Sequence, residues 1–172
     1  MPKKQIIIGT IIIVVLLGVS LIYRYAQYIL VLQANPYINV DGVKLMMTEE
    51  KVKSLLGEEE EYMPGYAGCA FRLNYHSKGI YLIFLGDIDT DFYHKVNEIK
   101  ITNSNYEIFN VRIGDNYEEA IKKIRKRGFT REKEGFPGCW KMNMYIVLEK
   151  SYDKVKSITI GVRDRVASTR IY

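Results

Sequence analysis

Lys95-Val96-Asn97-Glu98-Ile99-Lys100-Ile101 is echoed about sixty residues later by Lys154-Val155-Lys156-Ser157-Ile158-Thr159-Ile160. In both copies isoleucine alternates with a polar residue, the two-residue period of a half-buried β-strand. Two more matches lie upstream in the same order. Gly65-Tyr66-Ala67-Gly68-Cys69 is answered by Gly135-Phe136-Pro137-Gly138-Cys139, and Val43-Lys44-Leu45 by Val111-Arg112-Ile113, each about seventy residues on. The ordered matches read as a tandem duplication, with small drifts in spacing as loop insertions and deletions. The first unit runs from about Ile38 to Thr102 and the second from about Phe109 to Val166, joined by Asn103 to Ile108. A period of about 70 is too long for a solenoid repeat and suits a small α+β module.

Each unit begins with a short extended segment and a helix. In the first, Thr48 is placed to cap Glu49 to Leu56, Gly57 stops the helix, and Val52, Leu55 and Leu56 form its apolar stripe. In the second, Asp115 with Glu118 three residues later makes a capping box. Tyr117, Ala120, Ile121 and Ile124 are then the apolar face, and Gly128 closes the helix. Strands follow at Phe71 to Tyr75, Ile80 to Leu85 and Glu98 to Thr102, then at Trp140 to Glu149 and Lys154 to Val162. Each unit is therefore expected to be a helix on its own antiparallel sheet, with one sheet face in the core.

Ahead of the units, Ile6 to Tyr23 is eighteen residues without a charge, preceded by Lys3 and Lys4. At 1.5 Å per residue it would reach about 27 Å as a helix, and it reads as a transmembrane segment. The two lysines place the N-terminus in the cytoplasm and the rest outside, a single-pass cell-membrane protein with an extracytoplasmic C-terminal part. A cleaved signal peptide is the alternative. The run exceeds the roughly 7–15 apolar residues usual there, and no small-x-small site follows it. The expected organisation is thus residues 1–34 as tip, transmembrane helix and juxtamembrane segment, 35–108 as first repeat and linker, and 109–172 as second repeat and tail.

The order of extended segment, polar cap, helix ending in Leu55-Leu56-Gly57 and three-stranded sheet resembles two families. They are the small outer-membrane assembly lipoproteins and the tandem-repeat β-lactamase inhibitor proteins. Val43-Lys44-Leu45-Met46-Met47-Thr48 and Val111-Arg112-Ile113-Gly114-Asp115 carry the resemblance. It implies a non-catalytic protein that binds other proteins. No inhibitor loop is recognisable, and no target or functional residue is carried over.

The residues themselves offer little chemistry. His76 and His94 fall in loops without Cys or His at metal-ligand spacing. Asp87-Ile88-Asp89-Thr90-Asp91 begins like a calcium loop but has Phe92 where the sixth-position Gly belongs, and only Glu98 fits the twelfth. There is no nucleophile elbow, P-loop or dinucleotide fingerprint, so neither a cofactor nor a metal is expected. A net charge of +5, two of it from Lys3 and Lys4, is mild, and nucleic acid is not an expected partner. Glu58 to Glu61 and the cluster Lys122, Lys123, Arg125, Lys126, Arg127 read as solvated surface, or as runs that pair between units or between two molecules, or, for the basic cluster, as a contact for an anionic partner or membrane headgroups. Cys69 and Cys139 occupy matching repeat positions. They are free thiols, or a disulfide if the two strand starts come within about 7 Å.

Fourteen tyrosines suit both cores and contact surfaces. Alternation points Arg72, Tyr81, Ile83, Glu98 and Lys100 away from the first core, and Lys141, Tyr145, Val147, Ser157 and Thr159 away from the second. Of these, Arg72, Tyr81, Ile83, Lys100, Lys141, Tyr145 and Val147 are the candidate protein-binding residues. The function expected is a membrane-anchored, extracytoplasmic interaction module of the cell envelope, its partner an unidentified envelope protein. The alternative is an accessory or sensory subunit of a membrane complex whose anchor helix, Ile6 to Tyr23, is the interface.

Overall fold

In the computed structural model the two copies of the repeated strand lie side by side. β5 (Val96–Ile101) and β11 (Lys154–Val162) pair antiparallel, with Ile101 opposite Ile158, Lys100 opposite Thr159 and Ile99 opposite Ile160. Lys100 and Thr159 are counterparts in the duplication, so an approximate two-fold axis passes through that pair. The structure describes residues 3–65, 69–90, 92–133 and 135–164.

From this seam the sheet grows symmetrically. β4 (Ile80–Phe84), β3 (Phe71–Tyr75) and β2 (Glu61–Met63) extend it on one side. β10 (Met144–Ser151), β9 (Phe136–Lys141) and β8 (Arg131–Lys133) extend it on the other. The result is one eight-stranded antiparallel sheet. This corrects the expectation of a separate sheet for each unit, because local alternation cannot show that two strands from different units become neighbours. Register carries apolar rows across the whole sheet. Tyr75, Ile80, Ile101, Ile158 and Leu148 form one row, and Leu73, Leu82, Ile99, Ile160 and Ile146 the next. All ten are buried in a single core.

A helix from each unit joins that core. α2 (Glu49–Leu56) is capped by Thr48, whose hydroxyl accepts from Lys51 N at 3.3 Å, and ends at Gly57 with φ 85°. Its buried residues are Val52 and Leu56, whereas Leu55 is 41% exposed and does not belong to the apolar stripe as expected. α3 (Tyr117–Lys126) buries Ala120 and Ile124. Its cap is Asn116, which accepts from Glu119 N at 3.1 Å, rather than Asp115. The backbone of Asp115 is committed to β11, accepting from Val155 N, and its carboxylate takes Arg112 N and Lys123 Nζ. The first unit does the same with Met47 and Val96. The two-residue strands β1 (Ile38–Asn39), β6 (Glu107–Ile108) and β7 (Val111–Arg112) form a small sheet between the units. Phe109 and Asn110, at φ 55° and 61°, turn the β6–β7 hairpin, so the expected boundary at 108/109 falls inside it.

The N-terminal helix requires a second correction. α1 spans Lys3–Ala34, and its end is buried against the sheet domain through Leu30, Val31 and Ala34. Among the described residues, no helix is long and apolar enough to cross a membrane. The side chains of Ile6, Ile7 and Tyr23 lie outside the described residues. The single-pass transmembrane helix, the membrane contact through Ile6 to Tyr23 and the cell-membrane localisation built on them are therefore set aside. The larger aliphatic side chains of Ile8 to Ile22 are 53–69% exposed.

The helix positions separate the duplicated core from its surface. Leu56→Ala and Ile124→Ala should each cost about 2–5 kcal/mol in chemical denaturation, the usual range for emptying a buried aliphatic site. Leu55→Ala should cost less than about 1 kcal/mol.

Candidate protein-binding face

The side of the sheet turned away from the buried apolar rows carries two rows of its own. Asn74, Tyr81, Lys100, Thr159 and Val147 make one; Arg72, Ile83, Glu98, Gly161, Tyr145 and Trp140 make the other. The twist of the sheet shapes these rows into an open trough of about 550 Å³. Of the candidate residues, Arg72, Tyr81, Ile83, Lys100, Tyr145 and Val147 line it. Glu98 and Thr159 line it too, while Ser157 is almost wholly buried.

Lys141 is the exception. It pairs with Met144 and so belongs to the helix-side face, where its Nζ donates to Arg127 O at 3.1 Å. Trp140, one residue earlier, pairs with Tyr145 and takes the trough-side position. The expected strand from Trp140 to Glu149 is broken by a two-residue turn in which Met142 has φ 55°. With no Gly or Pro to mark that turn, one continuous alternation ran through it and gave Lys141 the wrong face.

The second-unit end of the trough is aromatic. Ring centres of Phe136, Trp140 and Tyr145 lie 5.0–5.2 Å from one another, and Lys133 Nζ sits 3.7 Å over the Trp140 ring. Tyr145 lies across Gly161, where an added Cβ would meet its ring at 2.4 Å. The missing side chain lets the phenol of the second unit reach the first and donate to Glu98 Oε2. Burial, and then the Glu98 charge, push the phenol well above its ordinary pKa, so it stays protonated as a donor.

The centre and the first-unit end are polar. Lys100 Nζ meets Glu149 Oε1 at 2.9 Å, a second link between the units. The Ser157 hydroxyl and then Lys100 hold the Glu149 carboxyl below its usual range. A depressed carboxylate contributes stability above its unfolded pKa and loses it as pH falls through the folded one. At the open end Asn74 Nδ2 and His76 Nε2 contact Glu61 at 2.6 and 3.0 Å, and His76 packs edge-on to Tyr81 at 5.5 Å. Arg72 is exposed beside them and enters no ion pair among the described residues.

The other candidates are dispersed. Cys69 and Cys139 are both free. β3, which follows Cys69, and β9, which contains Cys139, lie five strand spacings apart in the sheet, about 24 Å, beyond disulfide reach. Asp87 Oδ1 caps Asp89 N in a turn, and Asp91 lies outside the described residues. Among the described residues, no group of three His, Cys, Asp or Glu could hold a metal ion. The acidic run is used locally: Glu58 and Glu59 bind Lys53, Glu60 takes Ser77, and Glu61 takes Asn74. In the basic cluster Lys123 meets Asp115 and Arg125 meets Glu132, each at 3.1 Å.

Gly161→Ala should break the cross-unit contact by displacing the Tyr145 ring, with a loss of about 1–3 kcal/mol in denaturant titration. Tyr145→Phe keeps the ring but leaves Glu98 without its donor, and should cost about 1.5–3 kcal/mol. Because both changes remove one bond, the double variant should lose clearly less than their sum.

No protein-family model matches the chain, and no curated protein matches it. Among solved structures, a crystal structure of an extracellular protein containing a SCP domain from Bacillus anthracis str. Ames is similar at 13% identity and a TM-score of 0.49. The match covers 69% of this chain, which spans 44% of that one.

Proposed function

We propose that this chain is a non-catalytic protein-binding module and that the sheet trough is its docking face. The observation that carries the reading is the pair of outward rows. They set an aromatic cluster, aliphatic Ile83 and Val147, and the exposed cation Arg72 on one continuous sheet surface. Aromatic residues and Arg are the side chains most enriched where protein interfaces hold their binding energy. The open trough suits a protein segment better than an enclosed small molecule. The protein-binding role implied by the families that the repeat resembles points the same way.

The charges on the face narrow the partner. Glu98 and Glu149 are already engaged by Tyr145 and Lys100, while Arg72 enters no ion pair among the described residues. A fitting partner therefore presents a carboxylate to Arg72, flanked by apolar side chains that settle against Tyr81 and Ile83. A photo-crosslinking residue at Tyr81 or Val147 should capture such a partner, and one at Lys122 on α3 should not. Arg72→Ala and Tyr81→Ala should each weaken binding of the captured partner by about 1 kcal/mol or more in calorimetry, with unchanged thermal stability. Crosslinks that form only from α1 would place the interface on that helix and remove the trough from the proposal.

A further inference from the structure

On the opposite side of the sheet, where α1 ends against the second unit, lies a cleft of about 420 Å³ that the protein-binding reading does not use. Its apolar floor is made by Leu30, Ala34, Phe129 and Met144, all buried. Tyr37 and Phe109 form an aromatic wall, with rings 6.0 Å apart. Three cations line the same space: Lys126, Arg127 and Lys141. No acidic residue lines it, and no ion pair among the described residues includes any of the three.

The cations arrive from α3 and from β9, and Arg127 and Lys141 are held in place. Lys126 and Arg127 come from the end of α3. The Arg127 guanidinium carbon rests 3.9 Å from the centre of the Tyr37 ring, a contact that anchors the fork. Lys141 reaches over from β9, passing Gly128, whose φ of 90° turns the chain out of the helix. A Cβ at that glycine would come within 3.4 Å of the lysine stem. The ordinary reason for cations at this place is the helix dipole, which presents about half a negative charge at a C-terminus. Lys141 already satisfies the Arg127 carbonyl there. Half a charge does not balance three, so positive potential remains above an apolar floor.

We infer that this cleft binds a small amphipathic anion: a carboxylate on an apolar body, the carboxylate against Arg127 and Lys126 and the body against Ala34, Phe129 and Met144. Its size is within the range of roughly 300–1,000 Å³ typical of small-molecule sites. A planar fork pinned by stacking is preorganised for a bidentate carboxylate, and the apolar floor rewards a ligand that carries more than charge.

The full-length chain tests this with 4-phenylbutyrate as probe, followed by calorimetry and by the methyl resonance of Met144. Saturable binding is expected, with a selective shift at Met144. 4-Phenylbutanol, acetate and inorganic phosphate should each bind at least about tenfold more weakly, since each lacks half of the recognised chemistry. Arg127→Gln should weaken the acid about tenfold or more. Lys126→Gln, which leaves the Tyr37 stack and the Lys141 bond untouched, should weaken it several-fold and keeps the test decisive if Arg127→Gln does not fold. Added salt should weaken binding, and Tyr81→Ala on the far face should not. Equal binding of acid and alcohol, unaltered affinity in Lys126→Gln, a shift pattern that avoids Met144, or no saturable binding of the acid would each overturn the assignment.

Discussion

The pairing of β5 with β11 is the constraint on which everything else rests. Either half alone would be a four-stranded sheet whose innermost strand is its longest, with a row of unpaired backbone groups at an apolar edge. Joining the two edges satisfies both ladders and removes the most aggregation-prone surface either half would have. It also aligns Ile99, Ile101, Ile158 and Ile160 in the middle of the core, where all four are fully buried. What is left at the true edges is β2 and β8, three exposed residues each, with charged Glu61, Arg131 and Lys133 among them. Short, charged edges are a recognised defence against sheet-to-sheet addition.

The same seam organises the polar chemistry. Two side-chain links between the units lie on the open face. Tyr145 of the second unit reaches Glu98 of the first, and Lys100 of the first reaches Glu149 of the second. On the helix side the units meet by packing along the isoleucine rows and by the stack of Arg127 on Tyr37. Directional bonds hold the open face in shape, whereas contact density dominates the buried one. A docking surface gains from the former, since its side chains are already ordered when a partner arrives.

Much of this was legible from sequence where information is local. Two-residue alternation assigned six of the seven candidate face residues to one surface, and Thr48 declared its helix through capping chemistry. Reading failed where the deciding event is distant or lacks a marker residue. No local pattern says that β5 meets β11, so two sheets were expected. The turn at Met142 and the turn at Phe109-Asn110 use left-handed non-glycine residues, and the first of them put Lys141 on the wrong face. Met46 is a similar case. It adopts φ 67° at the position where the second unit has Gly114 at φ 92°, so only one copy of the motif carries the residue that announces its backbone. For α1, apolar composition alone suggested a span, whereas its buried end at Leu30, Val31 and Ala34 depends on a surface formed elsewhere in the chain.

The duplication has been kept and lost in different places. Across the axis, core counterparts are nearly identical: Val96 with Val155, Ile99 with Ile158, Ile101 with Ile160. On the open face the counterparts differ in every property that matters for binding. Glu98 corresponds to Ser157, Lys100 to Thr159 and Thr102 to Gly161. Packing tolerates little change of volume in a core shared by two copies, whereas the open face is free to diverge. One such divergence, Gly161, admits the Tyr145 ring and closes the second-unit end of the trough, while the first-unit end keeps exposed Arg72. The scaffold is close to two-fold symmetric and its open surface is not. A surface with one aromatic end and one cationic end has a direction, so in the proposed docking role it fits a single asymmetric partner segment better than two equivalent ones.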